Sequence, residues 1–217
     1  MPYQPHLQTV LATMSAARPG EPRHDWRSGL PALTGLMITL RELRTSDAQS
    51  LFASLSTEEV ARFISPPPTM VEGFGQFIAW SHGQRAAGHQ VCFGIVPRGM
   101  DEAVGLFQIR TLEADFGLAE WGFALAAEYW GSGMFVEGAR LVVTFGFDVL
   151  GINRLEARAA VRNGRGNGAL RKIGTVQEGV LRRSFLRHGE YLDQALWSLL
   201  RADWQRRPSA DTARNLH

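Results

Sequence analysis

Between Ala119 and Ala139 the chain reads AEWGFALAAEYWGSGMFVEGA, and no other stretch constrains the fold as much. Its first part alternates like a half-buried strand. The turn Gly131-Ser132-Gly133 interrupts it, and a helical apolar pattern then runs from Gly133 to Leu150. A strand that turns through glycines straight into a helix leaves the first-turn N–H groups pointing outward, at the positive end of the helix dipole. That arrangement is a nest for an anion such as a pyrophosphate. Glycine suits it because a side chain would keep the backbone from closing on the anion. Such turns also occur without any ligand, so the flanking segments decide what this one is for.

Those segments alternate strands with helices. GLMITLREL, from Gly35 to Leu43, reads as a first strand, and the compact domain begins near Leu36. Ser46-Asp47 opens a helix through Leu55, with Ser46 as its N-cap. Ser56-Thr57-Glu58-Glu59 offers a second start, and Pro66-Pro67-Pro68 closes that region. A further helix spans Thr69 to Arg85, and strands follow at Gln90–Pro97, Ala103–Thr111 and Phe116–Leu125. After the helix ending at Leu150-Gly151 come a strand to Val161, the run NGRGNGALRKIGTVQEGVLRR, and two strands, Thr175–Leu186 and Tyr191–Leu200. A short helix closes at Arg201–Arg206. Residues 1–35, broken by five prolines with room only for a short helix from His6 to Ala17, read as a peripheral extension. Residues 36–206 form the domain, and 207–217 a disordered tail. The alternation predicts an α/β (α+β) fold around one mixed sheet.

Composition narrows the class. The 217 residues suffice for one sizeable core, with 45% hydrophobic and 20% charged residues. No run of about 18 apolar residues suggests a membrane span. No leader pattern opens the chain, so a cytoplasmic location is expected. Cys92 is the single cysteine; in the apolar run VCFGIV it reads as a buried thiol rather than a nucleophile. The histidines are scattered without ligand spacing, so no metal is expected. The Gly-x-x-x-x-Gly-Lys loop, the third glycine of a dinucleotide fingerprint and the Gly-x-Ser-x-Gly elbow are all missing. Residues 1–153 hold 10 Arg against 15 Asp/Glu, a balance of −5, whereas residues 154–207 hold 12 Arg/Lys against 5 Asp/Glu, a balance of +7. The basic half suits a multiply phosphorylated ligand and the acidic half a cationic partner, although both also read as solvated surface. Nothing in the order of residues sets basic side chains among aromatics on one face, so nucleic acid is not an expected partner.

Strand, glycine turn, helix, strand, Asn-led helix and Leu170-Arg171-Lys172-Ile173-Gly174, in that order, resemble the acetyl-CoA-binding half of the GNAT N-acetyltransferases. The resemblance is closest to the RimJ/RimL-type branch, which acetylates protein N-termini and small amines, and it covers Leu36 to Trp204. It implies a GNAT fold of about seven strands, mostly antiparallel, with a splayed central pair that admits the pantetheine arm. It also implies acetyl-CoA as cosubstrate and a primary amine, small molecule or protein N-terminus, as acceptor. Homodimers are frequent in the branch. The family's Gln/Arg-x-x-Gly-x-Gly/Ala pattern falls on Glu128-Tyr129-Trp130-Gly131-Ser132-Gly133, with Glu128 departing at the first position. The pyrophosphate is then expected on Trp130, Gly131, Ser132, Gly133, Met134, Phe135 and Val136, and the pantetheine along Phe123 and Leu125. Asn163 matches the residue that bonds the pantetheine amide, and equally the cap of its helix. Asn167 and Arg171, four apart, share a helical face that can meet the cosubstrate. Arg165 is a further phosphate candidate.

The resemblance also assigns chemistry. Glu120 aligns with the carboxylate of the family's Ala-Glu-x-Gly-Tyr pattern and is the candidate general base; the bland reading is a glutamate paired to a neighbouring strand's arginine. Many members use a tyrosine to protonate the departing thiolate, but Leu170 stands there, and Gly166 replaces the branch's usual serine. Tyr191 and Tyr129 are the remaining acid candidates. The acceptor is expected to enter near Phe63, Phe74, Phe77 and Trp80, with Glu58, Glu59 and Glu72 favouring a cationic amine. A chain with this fold that binds acyl-CoA as a sensor, with little catalysis, is the alternative.

Overall fold

The computed structural model describes residues 25–113 and 116–206. Eight strands build one sheet: β1 (Leu33–Thr34), β2 (Ile38–Glu42), β3 (Gln90–Pro97), β4 (Gly105–Thr111), β5 (Leu118–Leu125), β6 (Arg154–Ala160), β7 (Val176–Arg187) and β8 (Glu190–Leu200). Their order is β1-β2-β3-β4-β5-β6-β8-β7. Among the described residues six α-helices accompany them: α1 (Ala48–Leu55), α2 (Glu58–Ala61), α3 (Val71–Ala86), α4 (Met134–Asp148), α5 (Gly164–Lys172) and α6 (Arg201–Gln205). All neighbouring strands are antiparallel except β5 and β6, which run parallel because α4 crosses over between them.

The two faces of the sheet carry separate cores. Ala119, Trp121 and Leu125 of β5 pack with Leu141, Val142 and Phe145 of α4. Ala124 of the same strand joins Leu51 of α1 and Phe74 and Ile78 of α3 on the other face. This is the strand period of two at work. Gly138 lets α4 sit close, because a Cβ there would lie 2.6 Å from the Phe107 ring. Burying a side chain such as Phe145 contributes about 1.5–3 kcal/mol, so this helix is a main anchor of the crossover.

The crossover creates the opening that matters for function. β5 and β6 pair only at Leu118/Arg154, Ala119/Leu155 and Glu120/Glu156. Beyond Glu120 they part, leaving the C-terminal halves of both strands facing a gap. The N-termini of α4 and α5 stand at its mouth, where ligands of open α/β sheets bind.

Several boundaries differ from the sequence reading, each for a physical reason. The first long strand starts at Ile38, because the N–H groups of Leu36 and Met37 donate to the Glu137 carboxylate in the first turn of α4, at 2.6 and 2.9 Å. Leu33–Thr34 adds an eighth short strand against Thr39 and Leu40, N-terminal to Leu36. Exposed Ser46 does not cap α1; Asp47 holds that boundary with its carboxylate turned inward onto both Arg41 guanidinium nitrogens at 2.8 Å. Asp47 also accepts from the N–H of Arg44 (2.7 Å) and of Ala103 (3.1 Å), which delays β4 until Gly105. Cys92 is buried, and burial pushes its thiol far up, as expected of an inert core cysteine. Among the described residues no helix is long and apolar enough to cross a membrane. The segment from His6 to Ala17 and the last residues from 207 lie outside the described residues.

Candidate functional site

Two cavities meet at the splay. A larger one, of about 890 Å³, lies beneath the N-termini of α4 and α5 and is bordered by α2. A smaller one, of about 560 Å³, lies on the α1/α3 face. Phe63, Ile64, Phe123, Ala124, Asn163 and Gly166 line both and form the throat between them.

The glycine turn edges the larger cavity. Gly131 and Gly133 have φ of +81° and +94°, a region that favours glycine. Space alone would admit a methyl group at Gly131, around which nothing lies within 4 Å. The Ser132 hydroxyl donates to the Tyr129 carbonyl (2.7 Å) and accepts from the Met134 N–H (3.3 Å). It thus braces the turn rather than facing the cavity, and neither Ser132 nor Met134 lines it. Helical bonding begins with the Glu137 N–H to the Gly133 carbonyl (3.1 Å), so the N–H groups of Phe135 and Val136 have no acceptor within the helix. Phe123, Leu125, Trp130, Gly131, Gly133, Phe135 and Val136 all line the larger cavity. Trp130 is fixed by its indole N–H to the Leu125 carbonyl (2.8 Å), and the Arg165 guanidinium lies 4.1 Å over its ring. Stacking of this kind holds the charge at the cavity wall.

The α5 segment divides the expected residues. Asn163 lines both cavities, and its Oδ1 accepts from the Gly166 N–H (2.8 Å) as a helix cap. Gly166 permits this fold-back, since a Cβ there would meet Asn163 Nδ2 at 2.6 Å. Asn167 and Arg171 do share a face, but that face turns to β6 and β8. Buried Asn167 donates to the carbonyls of Ala160 (2.9 Å) and Asn163 (2.7 Å) and accepts from the Trp197 indole (2.9 Å). Arg171 packs 5.3 Å over Trp197. Neither lines a cavity, and the cations that do on this helix are Arg165 and Lys172. The cause lies in Trp197, whose demand for a buried acceptor rotates Asn167 inward.

Glu120 lies at the smaller cavity with its side chain 17% exposed. It sits directly opposite Arg110 of β4 and is ion-paired with it, while Arg158 of β6 approaches Oε1 at 3.8 Å. Buried Leu170 lines the throat side of the same cavity and offers no proton. Among the described residues the buried indole N–H of Trp121 has no partner, and Trp121 also lines this cavity. Phe63, Phe74, Phe77 and Trp80 line the smaller cavity. Tyr191 is not brought to the site: it is 53% exposed, lies under Arg183, and borders neither cavity. Tyr129 borders the larger one, and burial, then the neighbouring Glu128, push its phenol up, so it stays protonated at neutral pH. Glu58 and Glu59 line the larger cavity rather than the smaller one, and Glu72 lines neither. Sequence reasoning passed over Arg110, Arg158, Arg62 and Lys172. The pairing of Arg110 with Glu120 would have followed from the β4–β5 register.

Residues 37–176 match the family model described as an acetyltransferase (GNAT) domain. The N-acetyltransferase YoaA of Bacillus subtilis (strain 168) is 28% identical over 179 residues, covering 79% of this chain and 97% of that protein. The crystal structure of a ribosomal-protein-S5-alanine acetyltransferase from Vibrio fischeri superposes with a TM-score of 0.72 at 19% identity, over 81% of this chain and 99% of that one. Mycobacterium smegmatis RimJ in complex with CoA-disulfide gives a TM-score of 0.70 at 19% identity, over 76% of this chain and 83% of that one. These last two likenesses concern the fold.

Proposed function

The chain belongs to the GNAT acetyltransferase family and is an acetyl-CoA-dependent N-acetyltransferase, and from that premise we propose how its two cavities divide the reaction. The larger cavity receives acetyl-CoA, and the smaller receives a primary amine, either a small molecule or a peptide N-terminus. The observation that carries this reading is the throat: the two cavities share a wall where β5 and β6 part. Direct attack needs both reactants at one such opening.

The residues present fit the cosubstrate. The N–H groups of Phe135 and Val136 and the positive-φ glycines make an anion nest, and Arg165 and Lys172 add charge at its rim. The gap edges of β5 and β6 supply backbone groups for the pantetheine amides, with Asn163 Nδ2 beside them. Bound acetyl-CoA supplies an acyl group on a thiol leaving group. Glu120 takes the proton released by the incoming ammonium, directly or through water, while the amine nitrogen bonds the acyl carbon and the carbon–sulfur bond breaks. Leu170, on the wall of the smaller cavity, gives no proton, so the sulfur departs as thiolate. This is tolerable because thiol pKa values lie near ~8.5.

Glu120→Gln tests the assignment. Turnover should fall by about 10²-fold or more, the usual weight of a general base, with CoA affinity unchanged. Unchanged turnover removes the base. The alternative, acyl-CoA binding without efficient transfer, draws on Leu170 and Gly166, neither of which offers a proton, and it predicts CoA binding with no thiol release on any amine.

A further inference from the structure

Among the described residues, the wall of the smaller cavity carries three charged side chains: Arg110, Glu120 and Arg158. All three project to the α1/α3 face, and both guanidinium groups address the one carboxylate. The wall is therefore net positive by one charge. Arg110 is 54% and Arg158 40% exposed, so their remaining N–H donors open on the cavity. Arg158 has the looser hold on Glu120, at 3.8 Å, which leaves its planar fork free for a second carboxylate. The rest of the lining is largely apolar, with Phe74, Phe77 and Trp80 along α3.

We infer that the acceptor is a primary amine bearing a carboxylate beside its amino group and an apolar body, and that Arg158 selects that carboxylate. This rests on the reading that the smaller cavity receives the amine. The charges match as neighbours: the ammonium meets Glu120, and the carboxylate meets Arg158 next to it. A diamine finds no second carboxylate here. Its far charge meets Arg110 or Arg158, and like charges in a partly enclosed site select against it. Glu58 and Glu59, which would attract a polycation, border the other cavity. The same chemistry is offered by a free amino acid or by a peptide whose second residue is acidic.

The experiment compares acetyl transfer to L-phenylalanine, phenethylamine and 1,4-diaminobutane, and to the C-terminally amidated dipeptides Phe-Glu and Phe-Gln, by wild type, Arg158→Gln and Arg158→Lys. A charge-assisted pair predicts kcat/KM at least about tenfold higher for phenylalanine than for phenethylamine, or for Phe-Glu than for Phe-Gln. Which pair shows the preference identifies the source of the carboxylate. Arg158→Gln should bring that ratio to near one, and Arg158→Lys should keep part of it. Ratios near one in the wild type, or diaminobutane as the best acceptor, overturn the inference while leaving the transferase reading intact. No transfer to any amine removes the transferase reading instead. Calorimetric binding to the CoA-saturated protein then decides the inference. Phenylalanine or Phe-Glu binding that weakens about tenfold in Arg158→Gln sustains it, and binding that is absent or unaltered by the substitution overturns it.

Discussion

Replacing Gly131 by alanine separates a phosphate-holding turn from an ordinary one. Its φ of +81° costs an L-residue about 1–2 kcal/mol. Nothing within 4 Å of the added methyl group adds a clash, so the whole cost is conformational. The turn is exposed and leads out of a single 3-10 turn at Ala127–Tyr129, so in the free protein it relaxes to shed the strain. Binding of the pyrophosphate must restore the strained form, and the cost reappears as an affinity about 5–30-fold weaker. The assay is a calorimetric titration with CoA at fixed ionic strength, since screening alters phosphate contacts. The control is Gly75→Ala inside α3, where no atom lies within 4 Å of the new Cβ. There alanine should stabilise by about 0.5–1 kcal/mol and leave CoA affinity alone. A Gly131→Ala protein that binds CoA within twofold of wild type would refute the reasoning, because the turn would then not need its observed conformation to hold the ligand.

Three further outcomes follow from the same physical chemistry. Asp47→Asn keeps the shape but opposes Arg41 with an amide, and loss of a buried ion pair should cost about 3–5 kcal/mol in urea melts. Asn167→Ala strands the buried Trp197 indole N–H, while the Ala160 and Asn163 carbonyls keep the backbone N–H groups of Asn163 and Asn167. It should cost about 1–3 kcal/mol in stability, yet leave CoA affinity of the folded protein within a factor of about two; a large affinity loss with normal stability would make Asn167 a ligand contact after all. Acid should weaken the fold through two depressed carboxylates. Arg154, helped by Ser198, draws Glu178 from 4.5 to about 2. Burial pushes Asp47 up, but Arg41 and the N–H groups of Arg44 and Ala103 more than offset it, for a net lowering. Both pKa values are lower in the folded state, so the stability these groups contribute is complete above the ordinary carboxylate range and lost as pH falls towards about 2. Melting temperatures that stay flat across that window would contradict both assignments.

What the sequence made legible was local. Alternation, the glycine turn and the Asn163 cap identified β5, α4 and α5 in order, because period, φ-tolerance and capping act within a few residues. What it left dark was set across distance. Asn167 and Arg171 could be placed on one face of α5, but only Trp197, 30 residues further on, decides that this face turns away from the cavity. Glu120 could be placed on β5, but whether it stands alone depends on strand register and on β6, which bring Arg110 and Arg158 to it. The resemblance sets the acceptor entrance between the early helices, which predicts Glu58 and Glu59 there. The single turn of α2 instead folds them over the larger cavity. Tyr191 illustrates the same limit: a place in the chain's last strand does not say which end of that strand meets the splay.

The account turns on acetyl transfer through the throat between the two cavities. Its most direct test follows free thiol from acetyl-CoA and acetylated amine together across a panel of small amines and peptides. The account predicts that thiol and N-acetyl product appear in equal amounts with at least one primary amine. CoA binding with no amine-dependent thiol release on any of them would contradict it.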